Sequence, residues 1–124
     1  MANNYVQASF VVECYGPDKE LLLELVDQSK ESDEPIEGLC YPESNGVWFG
    51  FEESIDIDGV AEVIAQWQKL IPDPGLPVVI EFCYSCSKPR VGEFGGGVIV
   101  VHKGNITAEN TQDISRRLVE NALA

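Results

Sequence analysis

The residues of this 124-residue chain whose types could do chemistry are four cysteines, a single histidine and several close pairs of carboxylates. Cys83-Tyr84-Ser85-Cys86 has the two-residue gap of a zinc knuckle. A closed structural site would then have to draw its second pair from Cys14 and Cys40, which stand 26 residues apart. Cys83 and Cys86 fall in or at the end of a predicted strand, where alternation sends residues three apart to opposite faces. A turn beginning near Tyr84 would bring them to one side; a strand running on through Cys86 would not. Free cysteine is commonly just a small apolar residue, so buried or half-buried thiols are expected, with no metal and no cofactor.

His102 has no Ser or Cys nucleophile at a recognised motif spacing. Glu52-Glu53 and Asp56/Asp58 could be drafted as metal or acid/base pairs. Among 21 acids, however, chance pairs are expected, and Asp56 or Asp58 is better used as a helix cap. The run Phe94-Gly95-Gly96-Gly97 feeds a predicted strand, whereas a phosphate cradle feeds a helix N-terminus. These glycines are therefore expected to serve a bulge or a close backbone approach. No catalytic residue is assigned, and the chain is expected not to be an enzyme.

Charge carries more information. Residues 1–75 hold sixteen acids against Lys19, Lys30 and Lys69, which accounts for the whole formal net charge of −13; residues 76–124 hold five of each sign. A field of one sign repels polyanions and is drawn to basic surfaces. Direct binding to nucleic acid or to an anionic membrane needs clustered Lys and Arg, so both are disfavoured. On the first predicted helix Glu20, Glu24, Asp27 and Glu31 recur at i, i+4, i+7 and i+11, one narrow stripe with no base in it. Like charges one turn apart oppose each other by roughly 0.2–0.5 kcal/mol per pair, so stability alone would favour interleaved Lys. Asp33, Glu34 and Glu37 follow directly. Together these seven acids form the candidate partner-binding site, a surface that could imitate a phosphate line. Lys88, Arg90, His102 and Lys103 could make a small basic pole elsewhere.

The elements that position these residues follow from periodicity. Residues 5–14 alternate as a half-buried strand, and Gly16-Pro17-Asp18 starts a helix to about Lys30 with Leu21, Leu22, Leu25 and Val26 on its apolar side. Residues 36–41 and 47–53 read as a hairpin closed by the turn residues 42–46, with Trp48 and Phe49 on opposite faces. The second helix, opened by Asp56 or Asp58, carries Val60, Val63, Ile64, Trp67 and Ile71 at core spacing and stops at Pro72-Asp73-Pro74-Gly75. Residues 78–84 and 98–102 are strands. Asn110 or Thr111 opens a third helix with Ile114, Leu118 and Ala122 on one side.

The order β-α-β-β-α-β, then an added strand and helix, predicts a single α+β domain over residues 1–124. Its first six elements make a ferredoxin-like antiparallel sheet with the helices on one face. No apolar run approaches the roughly 20 residues that span a bilayer, and no basic, apolar leader opens the chain, so a cytoplasmic location is expected. The segment from Glu81 to Val101, EFCYSCSKPRVGEFGGGVIVV, resembles the strand, loop, Phe-Gly-Gly-Gly and strand passage of ferredoxin-like proteins carried by phages and plasmids, the YubB-like group. That resemblance implies a mobile-element accessory protein acting in a host bacterium, with no catalytic residues to carry over.

The composite expectation is a non-enzymatic acidic protein whose stripe occupies a basic, nucleic-acid-binding groove on a host protein, an inhibitor of anti-CRISPR or anti-restriction type. A self-associating accessory domain without an inhibitory role is the alternative. A small-molecule-binding domain is a third reading and requires a pocket between sheet and helices.

Overall fold

The computed structural model describes residues 4–30, 39–51, 57–73 and 75–124. Their elements are β1 (Asn4–Glu13), α1 (Gly16–Lys30), β2 (Leu39–Glu43), β3 (Gly46–Phe51), α2 (Ile57–Leu70), β4 (Val78–Cys86), β5 (Gly95–His102), β6 (Asn105–Asn110) and α3 (Thr111–Leu123). The strands form one antiparallel sheet in the order β2-β3-β1-β4-β5-β6. This is an α+β architecture, and its first four strands are arranged compatibly with a ferredoxin-like fold.

One face of the sheet is the core. Ala8, Val12, Val47, Phe49, Phe51, Ile80, Ile99 and Val101 point inward and meet Leu22, Leu25 and Val26 of α1 and Val60, Ile64 and Trp67 of α2. The period-2 pattern of β1 and the 3.6-residue stripe of α2 supply both sides of this interface. Phe10 stacks on Phe49 with ring centroids 5.0 Å apart. The polar side chain of Gln68 is buried with the core and satisfied: its Nε2 donates to the Val101 carbonyl at 2.9 Å, and its Oε1 accepts from the Gly104 amide at 3.0 Å. It ties α2 to the β5–β6 turn.

The C-terminal part differs from expectation. Two strands are added beyond β4, not one: β5 turns through Lys103 (φ 50°) and Gly104 (φ 80°) into β6. Positive φ at both central residues is the signature of the two-residue turn that matches strand twist. The glycine run also lies inside β5, not before it. A side chain at Gly97 would collide with the ring of Phe82 on the neighbouring strand, so that glycine provides room for the ring. The proposed basic pole does not form. Arg90 precedes β5 while His102 ends it, and eight strand residues separate their ends by roughly 25 Å. In the first hairpin, Pro42 belongs to β2 and the turn is confined to residues 44 and 45.

The strand β4 runs through Cys86. Cys83 is exposed on the outer face and Cys86 is buried on the inner one, with Asn4 as its register partner; Cys14 lies past the opposite end of β1. The turn that a zinc knuckle needs is therefore absent, and these three thiols are free.

Candidate acidic binding surface

The α1 helix starts where Gly16 takes a left-handed φ of 58° and Pro17 follows in the first turn. Burial of Leu22, Leu25 and Val26 fixes its rotation about its own axis. Glu20, Glu24 and Asp27 are thereby turned outward, and all three are exposed. Glu24 accepts a hydrogen bond from Gln28 Nε2 one turn on, at 3.4 Å. The start of the helix is anchored by Trp67, whose Nε1 donates to the Asp18 carbonyl at 2.8 Å. Glu31, Asp33, Glu34 and Glu37, the rest of the expected site, lie outside the described residues, as do Glu52, Glu53 and Asp56.

A second acidic feature adjoins the head of α1 and has no counterpart in the sequence reading. Glu13 at the end of β1, Asp18 in the first turn of α1 and Asp73 after α2 line one cleft of about 550 Å³, together with Val11, Tyr15, Ile71, Leu76 and Val79. The Tyr15 hydroxyl donates to Glu13 Oε1 at 3.2 Å, and this bond raises its pKa above the ordinary phenol value. Asp73 Oδ1 accepts from the Gly75 amide at 3.1 Å, closing the turn after α2. An apolar cleft rimmed by carboxylates suits a Lys or Arg side chain, with the aliphatic stem on the valines and leucine and the cationic head at the rim. Among the described residues no group of three or more His, Cys, Asp or Glu is placed to hold a metal ion.

Cys14 is buried and also lines this cleft. Its Sγ donates to the Val12 carbonyl at 3.5 Å. Burial pushes the thiol from 9.0 up to about 11, with Lys19 pulling it down and Asp18 adding to the rise. The folded chain therefore keeps a proton that the unfolded chain has lost, so this contribution to stability is whole below pH 9 and disappears as pH rises toward 11. Urea midpoints measured across that window are expected to fall less steeply for Cys14→Ala than for the parent. Equal slopes would mean that the thiol titrates normally in the fold. In the same native protein a thiol reagent at neutral pH is expected to label Cys83 ahead of Cys14 and Cys86.

No helix among the described residues is long and apolar enough to cross a membrane. Compared with known proteins, the chain matches no protein-family model, no curated protein and no solved structure.

Proposed function

We propose that this chain is a non-enzymatic binding protein whose acidic face, centred on α1, occupies a basic groove that normally holds nucleic acid on another protein. The observation that carries the reading is the outward stripe of Glu20, Glu24 and Asp27 on a helix whose opposite side is locked into the core. Rotation of such a helix is costly, so the carboxylates are presented in fixed register. Successive members lie roughly 6 and 4.5 Å apart along the axis, a line of like charge as a nucleic-acid strand presents, though more widely spaced. The cleft at Glu13, Asp18 and Asp73 extends this surface with a pocket for one basic side chain. An inhibitor of a bacterial nucleic-acid-guided or restriction defence, borne by a phage or plasmid on a ferredoxin-like unit, is the concrete form of the proposal.

The test is a pull-down of the tagged full chain from a nuclease-treated bacterial lysate, eluted in salt steps and identified by mass spectrometry. A nucleic-acid-binding protein released at moderate salt, and competed off by its own nucleic acid, is the expected result, because opposite-charge contacts across a rim are screened by ions. A partner whose nucleic acid binds alongside this chain without competition would overturn it.

A further inference from the structure

The α3 helix is amphipathic and faces away from its own body. At 3.6 residues per turn Ile114, Leu118 and Ala122, with Val119 and Leu123 beside them, share one half, and Asp113, Arg116, Arg117 and Glu120 share the other. The charged half turns toward the sheet, where Arg117 Nη1 bonds Glu109 Oε1 at 2.6 Å. Ile114 is half-buried, and the rest of the apolar half is left bare, with Leu118, Val119 and Leu123 exposed by 59, 57 and 83% and no residue of the helix fully buried. A helix of 13 residues is marginal in water without tertiary packing on its apolar side.

The outer face of the sheet has the complementary character. Trp48 pairs with Val11, and Val79 pairs with Val100. The β1–β4 pairing runs from Asn4–Cys86 to Ala8–Phe82, and beyond it Val11 and Val79 both line the cleft shared with Glu13, Asp18 and Asp73. These four residues form an apolar row on the outer face of β3, β1, β4 and β5, with the cleft opening at Val11 and Val79. The row is about 14 Å long from three strand spacings of roughly 4.8 Å. From Leu118 to Leu123 the bare part of α3 rises roughly 7 to 8 Å, enough to lie over about half of the row. One step along the strands, Glu81 and Glu109 flank Val98, and none of β1, β3, β4, β5 or β6 contributes a Lys or Arg.

We infer that two copies of this chain pair by exchanging α3, the apolar half of each helix lying across the Trp48–Val11–Val79–Val100 row of the other copy, while Arg117 stays on Glu109 of its own chain. The occupant is a second copy because both surfaces are exposed and apolar, and because mutual exchange of the helix gives a closed, self-complementary dimer. It is also the association that the charge distribution permits. Residues 76–124 are neutral, and they hold nine of the twelve large apolar residues exposed among those described, whereas the excess acids lie in residues 1–75. The α1 stripe lies on the other side of the sheet and stays open to a partner. The inference goes beyond the proposed function; because Val11 and Val79 also line the cleft, pairing covers that cleft and leaves the α1 stripe as the part of the acidic surface open to a partner.

Sedimentation of the full-length protein alone over the micromolar range tests it. The parent is expected at twice 13.6 kDa. Leu118→Asp on the helix and Val79→Asp on the sheet change exposed positions, so each is expected to keep the parent's circular dichroism and to sediment as a monomer. Mixing these two variants restores one intact helix-on-sheet contact, and a mixed dimer is expected, weaker than the parent. A monomeric parent, whether its α3 is bare or folded back on its own sheet, overturns the inference. So does a dimer that survives Val79→Asp, which would place the contact between helices or along the β6 edge, or a mixture that stays monomeric.

Discussion

Reversing Glu20, Glu24 and Asp27 together to Lys is expected to abolish binding to a basic partner and to leave folding nearly unchanged. The three side chains are exposed, and the face of α1 that holds it in place is the opposite one, through Leu22, Leu25 and Val26. Three lysines repeat the like-charge spacing of three acids, so the change within the helix stays within a few tenths of a kcal/mol, about the size of one such pair. Binding responds differently. An exposed ion pair contributes about 0.2–1 kcal/mol, and reversal replaces that attraction by a repulsion of similar size. The triple change then costs about 3 kcal/mol, over 100-fold in Kd. It raises the formal net charge of −13 by six, which also slows the encounter with a basic surface. The measurement is titration calorimetry at two ionic strengths, with Glu120→Lys on α3 as a control that alters charge away from the stripe. An unchanged Kd for the triple variant would remove α1 from the binding surface, and a loss for the control of about a third of the triple variant's free-energy loss, in proportion to a charge change of two against six, would show that only net charge matters.

Why that stripe was legible in the sequence, and the neighbouring cleft was not, has a physical reason. Positions 20, 24 and 27 are related by the period of one helix, and the same local rule exposed the core stripe of α2 and the alternation of β1. Asp73 meets Glu13 and Asp18 by another route. The path between them runs through the β1–β4 pairing and the packing of α2, which no spacing along the chain encodes. The β6 strand escaped notice because every residue from Asn105 to Glu109 is exposed, so no inward-facing hydrophobic alternation marks it. The cue that existed was Lys103-Gly104, a two-residue turn between extended segments. The glycines of β5 do allow the close backbone approach expected of them, Gly96 against the Phe82 carbonyl, but their place inside the strand was hidden for a related reason. Glycine reads as a breaker, yet here an aromatic ring from the next strand occupies the space that a side chain at Gly97 would need.

Trp67→Ala is expected to cost about 3–5 kcal/mol of folding stability, the largest effect of any single change considered. Trp67 is 2% exposed and the largest fully buried side chain of the core, so its removal leaves a cavity bounded by two helices and the sheet. A domain of this size is stable by roughly 5–15 kcal/mol, and such a loss takes a large share of it. Its indole also holds the first turn of α1 through the Asp18 carbonyl, so the variant loosens the end of the helix from which the acidic stripe begins. Trp67→Phe separates the two roles. It keeps an apolar ring in the core and deletes the hydrogen bond, whose net worth is roughly 0.5–1.5 kcal/mol. Urea denaturation of both variants, read by circular dichroism, is expected to show Trp67→Phe well above Trp67→Ala in stability. Equal losses would place the whole effect in the Asp18 bond. A loss under about 1 kcal/mol for Trp67→Ala would mean that the core closes over the gap, an outcome at the far edge of large-to-small changes at buried sites. Amide exchange adds a local readout: Trp67→Phe is expected to speed exchange in the first turns of α1 while the strands keep their protection, because the lost bond ties that end alone to α2. Uniform acceleration would show instead that the bond supports the whole domain.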